Sequence, residues 1–317
     1  MIRFLVLSVL ALPSFAAGTE YELAGRITPA RTVSVTLYRV ASPYTVSTLT
    51  GEDGRFTFKK LEPGAYTLSI LEPSLGEARR TIEVGPSGSD ARNRVSLELA
   101  LKDSDFILGD TLQRRNSVST RQLAIPDKAV RDYADAQKDL ARHDPDAAIQ
   151  KLEEAVEIAP QFSTAWNNLG TIAYQTRHFE RAAECFRHAL EADPQAYEPL
   201  VNLGGVLINL NKIEEAWDYN VRAVLVRPND ALANSQLAMV YFEVGRFDLA
   251  EKHFNIARKC DPAHFSHPQL FLAEIHLRRG DKAAAAADLE DFLAHHPDWP
   301  QAAKMRASIA EWKSSPQ

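Results

Sequence analysis

Residues 165–194 read AWNNLGTIAYQTRHFERAAECFRHALEADP, and this stretch decides the fold of the second half of the chain. Its apolar residues recur at helical spacing, which predicts helices. Small side chains at Gly170 and Ala182 allow two antiparallel helices to cross closely. Pro194 ends the second helix, because its ring removes an amide donor and crowds the preceding turn. The stretch therefore predicts one helix-turn-helix unit.

The same unit recurs along the chain with a fixed period. Prolines recur every 34 residues at Pro160, Pro194, Pro228 and Pro262. The fifth, Pro297, follows after 35 residues. Alanines stand twelve residues before these prolines, at Ala148, Ala182, Ala216, Ala250 and Ala285. Twelve residues before the alanines come Ala136, Gly170, Gly204, Ala238 and Ala273. A period of this size indicates a stacked array, so we predict five units over residues 127–298.

These period-locked residues, best seen in Ala165, Trp166, Leu169 and Gly170, resemble the tetratricopeptide repeat. The resemblance implies an all-α superhelical array whose ligand surface is a concave face lined by the first helix of each unit. The last unit departs from the pattern, since Phe292 stands where the other units carry alanine and one residue is inserted around residues 264–267. Residues 299–317 are expected to form a capping helix and tail, because an array must cover its last apolar face.

The register of the resemblance predicts which side chains line the groove. The positions are Tyr133, Gln137, Leu140, Asn167, Thr171, Tyr174, Val201, Gly205, Ile208, Ser235, Met239, Phe242, Leu270, Glu274 and Leu277. One position of each unit is apolar and forms a ladder of Leu140, Tyr174, Ile208, Phe242 and Leu277. The ladder could anchor a ligand or pack between first helices, and both interpretations stay open.

The groove positions include no lysine or arginine. Related arrays use lysines there to clamp the acidic tails of heat-shock chaperones, so that ligand does not fit this chain. An extended peptide or a helix of another protein, held by apolar contacts and amide hydrogen bonds, fits better.

Residues 18–101 alternate apolar and polar side chains with period two, as half-buried strands do. Phe56 and Phe58, for example, are separated by Thr57. Asp53-Gly54 and Pro63-Gly64 supply the backbone geometry of tight turns, and we expect hairpins there. The alternating strands predict a small antiparallel β-sandwich. Residues 102–126 lack this periodicity and are interpreted as a linker to the array.

Residues 51–70 read GEDGRFTFKKLEPGAYTLSI and resemble the carboxypeptidase-regulatory-like domain. The matching residues are Thr50, Gly54, Phe56, Phe58, Leu61, Pro63, Gly64, Tyr66 and Leu68. The resemblance implies a prealbumin-like sandwich and says little about activity, since no peptidase domain follows. Similar folds can bind carbohydrate through exposed aromatic side chains, and Tyr38 and Tyr44 are the candidates here.

Residues 1–16 have the layout of a secretory signal peptide, with Arg3, an apolar run and small residues at Ser14 and Ala16. We therefore expect export to the periplasm or the medium, and no later apolar run is long enough to span a membrane. The net charge of -6 argues against a nucleic-acid surface. The two cysteines, Cys185 and Cys260, lie two units apart and are expected to be free thiols.

Two clusters of metal-ligating residue types do not make a convincing metal site. His188 and Glu191 supply two ligands where a catalytic zinc needs three. Cys260, His264 and His267 lack a fourth partner at zinc-like spacing and are interpreted as a turn with surface histidines. Without a nucleophile-elbow or phosphate-loop motif we expect no catalytic residues and no cofactor. The sequence favours an exported protein-interaction adaptor over a carbohydrate-binding protein or an undetected hydrolase.

Overall fold

The computed structural model describes residues 19–107 and 125–314. Within these residues a β-sandwich precedes an array of helices, as the sequence predicts. The expected signal peptide over residues 1–16 lies outside the described residues, and so does most of the expected linker over residues 102–126. No helix among the described residues is long and apolar enough to cross a bilayer.

Seven strands form the sandwich in the described N-terminal part: β1 Tyr21–Thr28, β2 Ser34–Arg39, β3 Thr45–Leu49, β4 Arg55–Leu61, β5 Gly64–Glu72, β6 Gly76–Val84 and β7 Arg94–Ala100. One sheet has the strand order β4-β1-β7, and the other has the order β3-β2-β5-β6. Strands β1 and β7 run parallel, and the other pairs are antiparallel. The core between the sheets includes Leu23, Val35, Leu37, Phe56 and Leu68, all buried.

The prediction of hairpins at Asp53-Gly54 and Pro63-Gly64 is wrong in one respect. Gly54 does adopt a positive φ of 75°, as a tight turn requires. However, β4 pairs with β1, whereas β3 and β5 belong to the other sheet, so both turns carry the chain from one sheet to the other. The hairpins are β2–β3 and β5–β6. Turn residues determine the local backbone conformation but not which sheet the next strand joins.

Eleven helices follow within the described residues: α1 Asp127–Ala141, α2 Pro145–Ile158, α3 Ser163–Gln175, α4 Phe179–Ala192, α5 Tyr197–Asn209, α6 Ile213–Val226, α7 Ala231–Glu243, α8 Phe247–Cys260, α9 Pro268–Arg278, α10 Lys282–His295 and α11 Ala302–Ser314. The first helices of the five units are α1, α3, α5, α7 and α9, and the second helices are α2, α4, α6, α8 and α10. Helix α11 covers α10 with the buried side chains of Met305 and Ile309.

The recurring small residues lie where two helices of one unit touch. A Cβ at Gly170 would come within 2.6 Å of the ring of Phe186, and a Cβ at Gly204 within 2.3 Å of the Asn220 amide oxygen. Ala182, Ala216 and Ala250 are fully buried. Larger side chains at these positions would push the helices apart, which explains the fixed period in physical terms.

Candidate functional site

The predicted groove positions nearest the start of the first helices are largely used by the array itself. Val201, Ser235 and Leu270 are at most 2% exposed. The Ser235 hydroxyl accepts a hydrogen bond from the Ser266 hydroxyl at 2.7 Å. These three side chains have no surface left for a ligand and act as packing residues.

The other two residues of this row, Tyr133 and Asn167, are half-buried and bond to the next unit. The Asn168 amide donates to the Tyr133 hydroxyl at 3.3 Å, and the Asn202 amide donates to the Asn167 amide oxygen at 3.0 Å. Amide hydrogen bonds of this kind tie successive first helices together.

The middle row of groove positions is also engaged in internal contacts. The Thr171 hydroxyl donates to the Asn167 carbonyl oxygen, and Glu274 accepts from Arg278 Nε at 2.8 Å. A Cβ at Gly205 would come within 2.5 Å of the Gln236 amide nitrogen. Met239 is half-buried, and Gln137 has a buried amide nitrogen without a hydrogen-bond partner.

The apolar ladder is divided between the two interpretations. Leu140 is buried, whereas Ile208, Phe242 and Leu277 keep part of their surface. Tyr174 is 38% exposed and is the most accessible of the five. Phe242 packs edge-on against Phe247 and Phe271, with ring centroids 5.5 and 5.6 Å apart. The ladder therefore packs between units and also presents an accessible edge, at Tyr174 above all.

One rim of the concave face is covered by the chain's own sandwich. This rim consists of the turns that join the first and second helices of the first two units. The ring of Tyr44 stacks on the ring of His143 with centroids 4.4 Å apart and planes at 11°. The Gln175 amide, at the end of α3, donates to the carbonyl oxygen of Arg39 at 3.1 Å.

The opposite rim is covered by β6. Arg227, Asp261 and His296 occupy the same position in three successive units, directly after the second helices α6, α8 and α10. Arg227 binds Glu77 at 3.3 Å, and Asp261 accepts from the Thr81 amide at 2.9 Å. His296 Nδ1 lies 3.5 Å from a Glu83 carboxylate oxygen. Since the first helices lie between the two rims, the sandwich spans part of the concave face.

A charge network fills the contact between β6 and the array. Arg79 bridges Glu77 at 2.8 Å and Glu198 at 3.2 Å, and Arg227 pairs with the same two carboxylates. The Arg227 guanidinium also lies 3.9 Å from the ring centroid of Tyr197. Burial alone would raise the pKa of Glu77, but Arg79 and Arg227 lower it to about 2. The Glu77 carboxylate therefore remains charged at neutral pH.

The expected surface histidines are buried, so that interpretation is wrong. His264 and His267 are 5% and 9% exposed, and His267 lies in an aromatic cluster with Phe292, His296 and Trp299. Burial, together with His296 and His264, lowers the pKa of His267 to about 3. His267 has a left-handed φ of 52°, and its ring centroid lies 5.4 Å from that of Phe292.

Metal and sugar sites find little support in the part of the chain that the structure describes. No group of three or more His, Cys, Asp or Glu side chains is arranged there to hold a metal ion. His188 and Glu191 pair with each other at the surface, and the His188 ring also packs against Trp166. Tyr44 is 7% exposed and stacks on His143, so it cannot form an open sugar platform with Tyr38. Cys185 and Cys260 are free thiols, as predicted.

The residues of the charge network were not identified from the sequence. Strand β6 carries Glu77, Arg79, Thr81 and Glu83 at alternate positions, a polar period of two that was available to find. This strand was not recognised because the alternating residues are charged, whereas strands are usually recognised by alternating apolar residues. The partners on the array are scattered over three units and show no local pattern.

Comparison with known proteins supports the repeat architecture. Residues 163–196 match the family model for the tetratricopeptide repeat. The chain is similar to human cell division cycle protein 16 homolog, at 30% identity over 115 residues that cover 33% of this chain and 18% of the relative. It is also similar to the peroxisomal targeting signal receptor of Candida glabrata, at 32% identity over 85 residues that cover 27% of this chain and 14% of the relative.

The chain spans less than a fifth of the length of these curated relatives. Among solved structures it is similar to the APC/C hetero-tetramer Cut9-Hcn1, with a TM-score of 0.50 and 19% identity over 60% of this chain and 37% of that one. This likeness concerns the fold alone. Residues 163–196 are therefore a tetratricopeptide repeat, and the helical half of the chain is an array with the fold of such repeats.

Proposed function

We propose that the chain is an exported interaction adaptor that holds a protein or peptide in the groove of its array. Tetratricopeptide-repeat proteins act as interaction adaptors, and one relative is by name a receptor for a targeting signal. The observation that carries the proposal is the accessible edge of the apolar ladder. Tyr174 is 38% exposed, and its hydroxyl accepts a hydrogen bond from the Asn209 amide at 3.3 Å.

The chemistry of this edge favours a peptide segment that is uncharged or that combines apolar and polar side chains. Tyr174, Ile208 and Phe242 offer apolar surface, and the exposed amide of Asn209 can bond to a peptide backbone. The sandwich contacts the array at the rims, at His143 and Gln175 on one side and along β6 on the other, so this edge lies beside the sandwich.

Crosslinking followed by affinity capture and mass spectrometry from the native host tests the proposal. We expect Tyr174→Ser to lose captured partners while the array keeps its helicity. Trp217→Ser is the matched control, because Trp217 is similarly exposed, at 43%, but lies on the second helix α6 outside the groove positions. Equal capture by both variants and the wild type would refute groove binding.

Export is a separate part of the proposal and rests on the layout of residues 1–16. The mature chain is expected to start near Ala17. Intact-mass measurement on the exported protein tests this, and a chain that retains Met1 would contradict it.

A further inference from the structure

Strand β6 presents one polar, charged face and one mainly apolar face, on which Arg80 is the exception. Side chains at alternate positions of a strand point to the same side. Ala78, Ile82 and Val84 point into the sandwich core. Glu77, Arg79, Thr81 and Glu83 therefore lie on the opposite, outer face of the sheet, toward the array.

The array meets β6 with one contact from each of three successive units. Arg227 comes from the third unit, Asp261 from the fourth and His296 from the fifth. Glu198, in the first turn of α5, adds the partner for Arg79. Within the third unit, the basic Arg227 thus faces Glu77 and the acidic Glu198 faces Arg79. The array therefore matches an acidic residue followed two positions later by a basic one.

The contact between β6 and the array contributes more to binding specificity than to binding free energy. Arg227 is 6% exposed, and Glu77 and Arg79 keep only 15% and 31% of their side-chain surface. Desolvation offsets much of the attraction between buried charges, so pairs of this kind contribute little net free energy. A wrongly paired or unpaired charge there is strongly unfavourable. The array surface that contacts β6 therefore discriminates among extended segments by their charge pattern, but it binds the matching segment weakly enough for another to replace it.

We propose that Glu198, Arg227, Asp261 and His296 form a strand-recognition surface for an extended segment with an acidic residue and, two positions on, a basic residue. In the resting chain β6 occupies this surface, and an external segment of the same pattern displaces the sandwich. Displacement uncovers the part of the concave face that the sandwich spans. The inference rests on the proposed adaptor function and specifies the chemistry of its partner.

The tethered sandwich competes with any external segment. Because both belong to one chain, the sandwich is present at an effective concentration on the order of mM. An external segment must overcome this competition, so weakening β6 on the sandwich side should raise the affinity for the segment while leaving the array surface intact.

A labelled peptide tests the competition directly. The probe is a fluorescein-labelled peptide with the sequence of residues 76–84, GEARRTIEV, and its binding to the full chain is followed by anisotropy. The release variant Glu77→Ala/Arg79→Ala should bind the peptide at least about tenfold more tightly than the wild type, because the competitor is weakened. Adding Arg227→Ala to the release variant should abolish this gain.

Two controls separate recognition from general destabilisation. A peptide in which the residues at positions 77 and 79 are exchanged should not bind, since like charges would then meet Arg227 and Glu198. The protein control Arg94→Ala removes an ion pair with Glu22 on the other sheet and should bind the peptide as the wild type does. If the release variant loses helicity, the shape-preserving Glu77→Gln replaces it, with a smaller expected gain.

Small-angle scattering on the same samples measures, through the radius of gyration, whether the sandwich has undocked from the array. An increased radius of gyration in the release variant together with tighter peptide binding supports the inference. Undocking without peptide binding would overturn the recognition surface, and an unchanged radius with unchanged binding would overturn the displaceable contact. These results do not depend on partner capture through Tyr174, so failure of the adaptor proposal is distinguishable.

Discussion

The interior of the array and its contact with the sandwich are both buried, but they are built from opposite chemistry. Inside the array, Phe254 is fully buried and stacks on Phe271 with ring centroids 4.8 Å apart. Across the contact, Glu77, Arg79 and Arg227 are packed together. Apolar packing is insensitive to pH, whereas a charge network depends on protonation. The contact can therefore be opened under conditions that leave the array folded.

Truncating the apolar interior should have the largest effect. Phe254→Ala should lower the free energy of unfolding of the array by about 3–5 kcal/mol, because it leaves a cavity among well-packed rings. Thermal melts followed by circular dichroism measure the change. Leu225→Ala is the control, since Leu225 is 74% exposed and its loss should change stability by less than about 0.5 kcal/mol. Equal melting temperatures of the two variants would contradict the claim that the array is stabilised by its apolar interior.

Neutralising one charge in the contact should have an intermediate effect, confined to docking. Glu77→Gln keeps the shape of the side chain but weakens its bonds to Arg79 and Arg227, which should cost about 1.5–3 kcal/mol of docking free energy. The urea midpoint of the change in radius of gyration should fall, while the midpoint of helix loss stays constant. Glu290→Gln, which breaks an exposed pair with Lys313, should alter neither midpoint.

Acid should act on the contact and on the last unit of the array through different residues. The pKa of Glu77 is about 2 in the folded chain against a model-compound value of 4.5, so its contribution is lost as the pH falls from about 4.5 toward 2. His267 packs inside the last unit, and its pKa is about 3 against 6.5, so the unfolded state binds a proton first and the stability of that unit falls from about pH 6.5 downward. Scattering should show expansion as Glu77 is protonated below about pH 4.5, and thermal melts should show the stability of the array falling already from about pH 6.5.

The histidine part of this effect can be isolated. His267→Asn removes the titrating ring and tolerates the left-handed backbone at that position. The melting temperature of the array should then fall less between about pH 6.5 and 4.5, while the expansion below about pH 4.5, where Glu77 begins to titrate, should stay. An unchanged fall in melting temperature over this range would show that His267 plays no part in the acid response.

Substitution at the accessible edge of the ladder should have the smallest effect on stability. Tyr174→Ser should cost about 1 kcal/mol, because the ring is partly exposed in the free chain. Phe242→Ser should cost about 3 kcal/mol, since its ring packs against Phe247 and Phe271. Denaturant titration measures both values. Equal costs would contradict the division of the ladder into an exposed and a packed part.

The sequence predicted the array well because its packing is periodic. Gly170, Ala182 and Pro194 recur at fixed spacing, and each has a local reason for its position. The sandwich was predicted only as a class. Gly54 indicated a turn, but the pairing of β4 with β1 depends on residues distant in sequence. Local patterns fix backbone conformation, whereas strand order is decided by the complete core.

The contact between the two domains could not be predicted in the same way. Glu77 and Arg227 are 150 residues apart, and each alone resembles an ordinary surface charge. His267 was expected at the surface because its turn is polar, yet its ring packs against Phe292. Charged residues become recognisable as a site only when the fold brings both partners together.

Amide hydrogen exchange at Thr81 tests most directly whether the sandwich is docked on the array. The Thr81 amide donates to Asp261 across the domain contact, not to a strand of its own sheet. In the full chain at neutral pH we predict slow exchange at Thr81, and exchange that becomes fast in the Glu77→Ala/Arg79→Ala variant while the amides within α7 and α8 remain protected. Fast exchange at Thr81 in the wild type would contradict the docked arrangement.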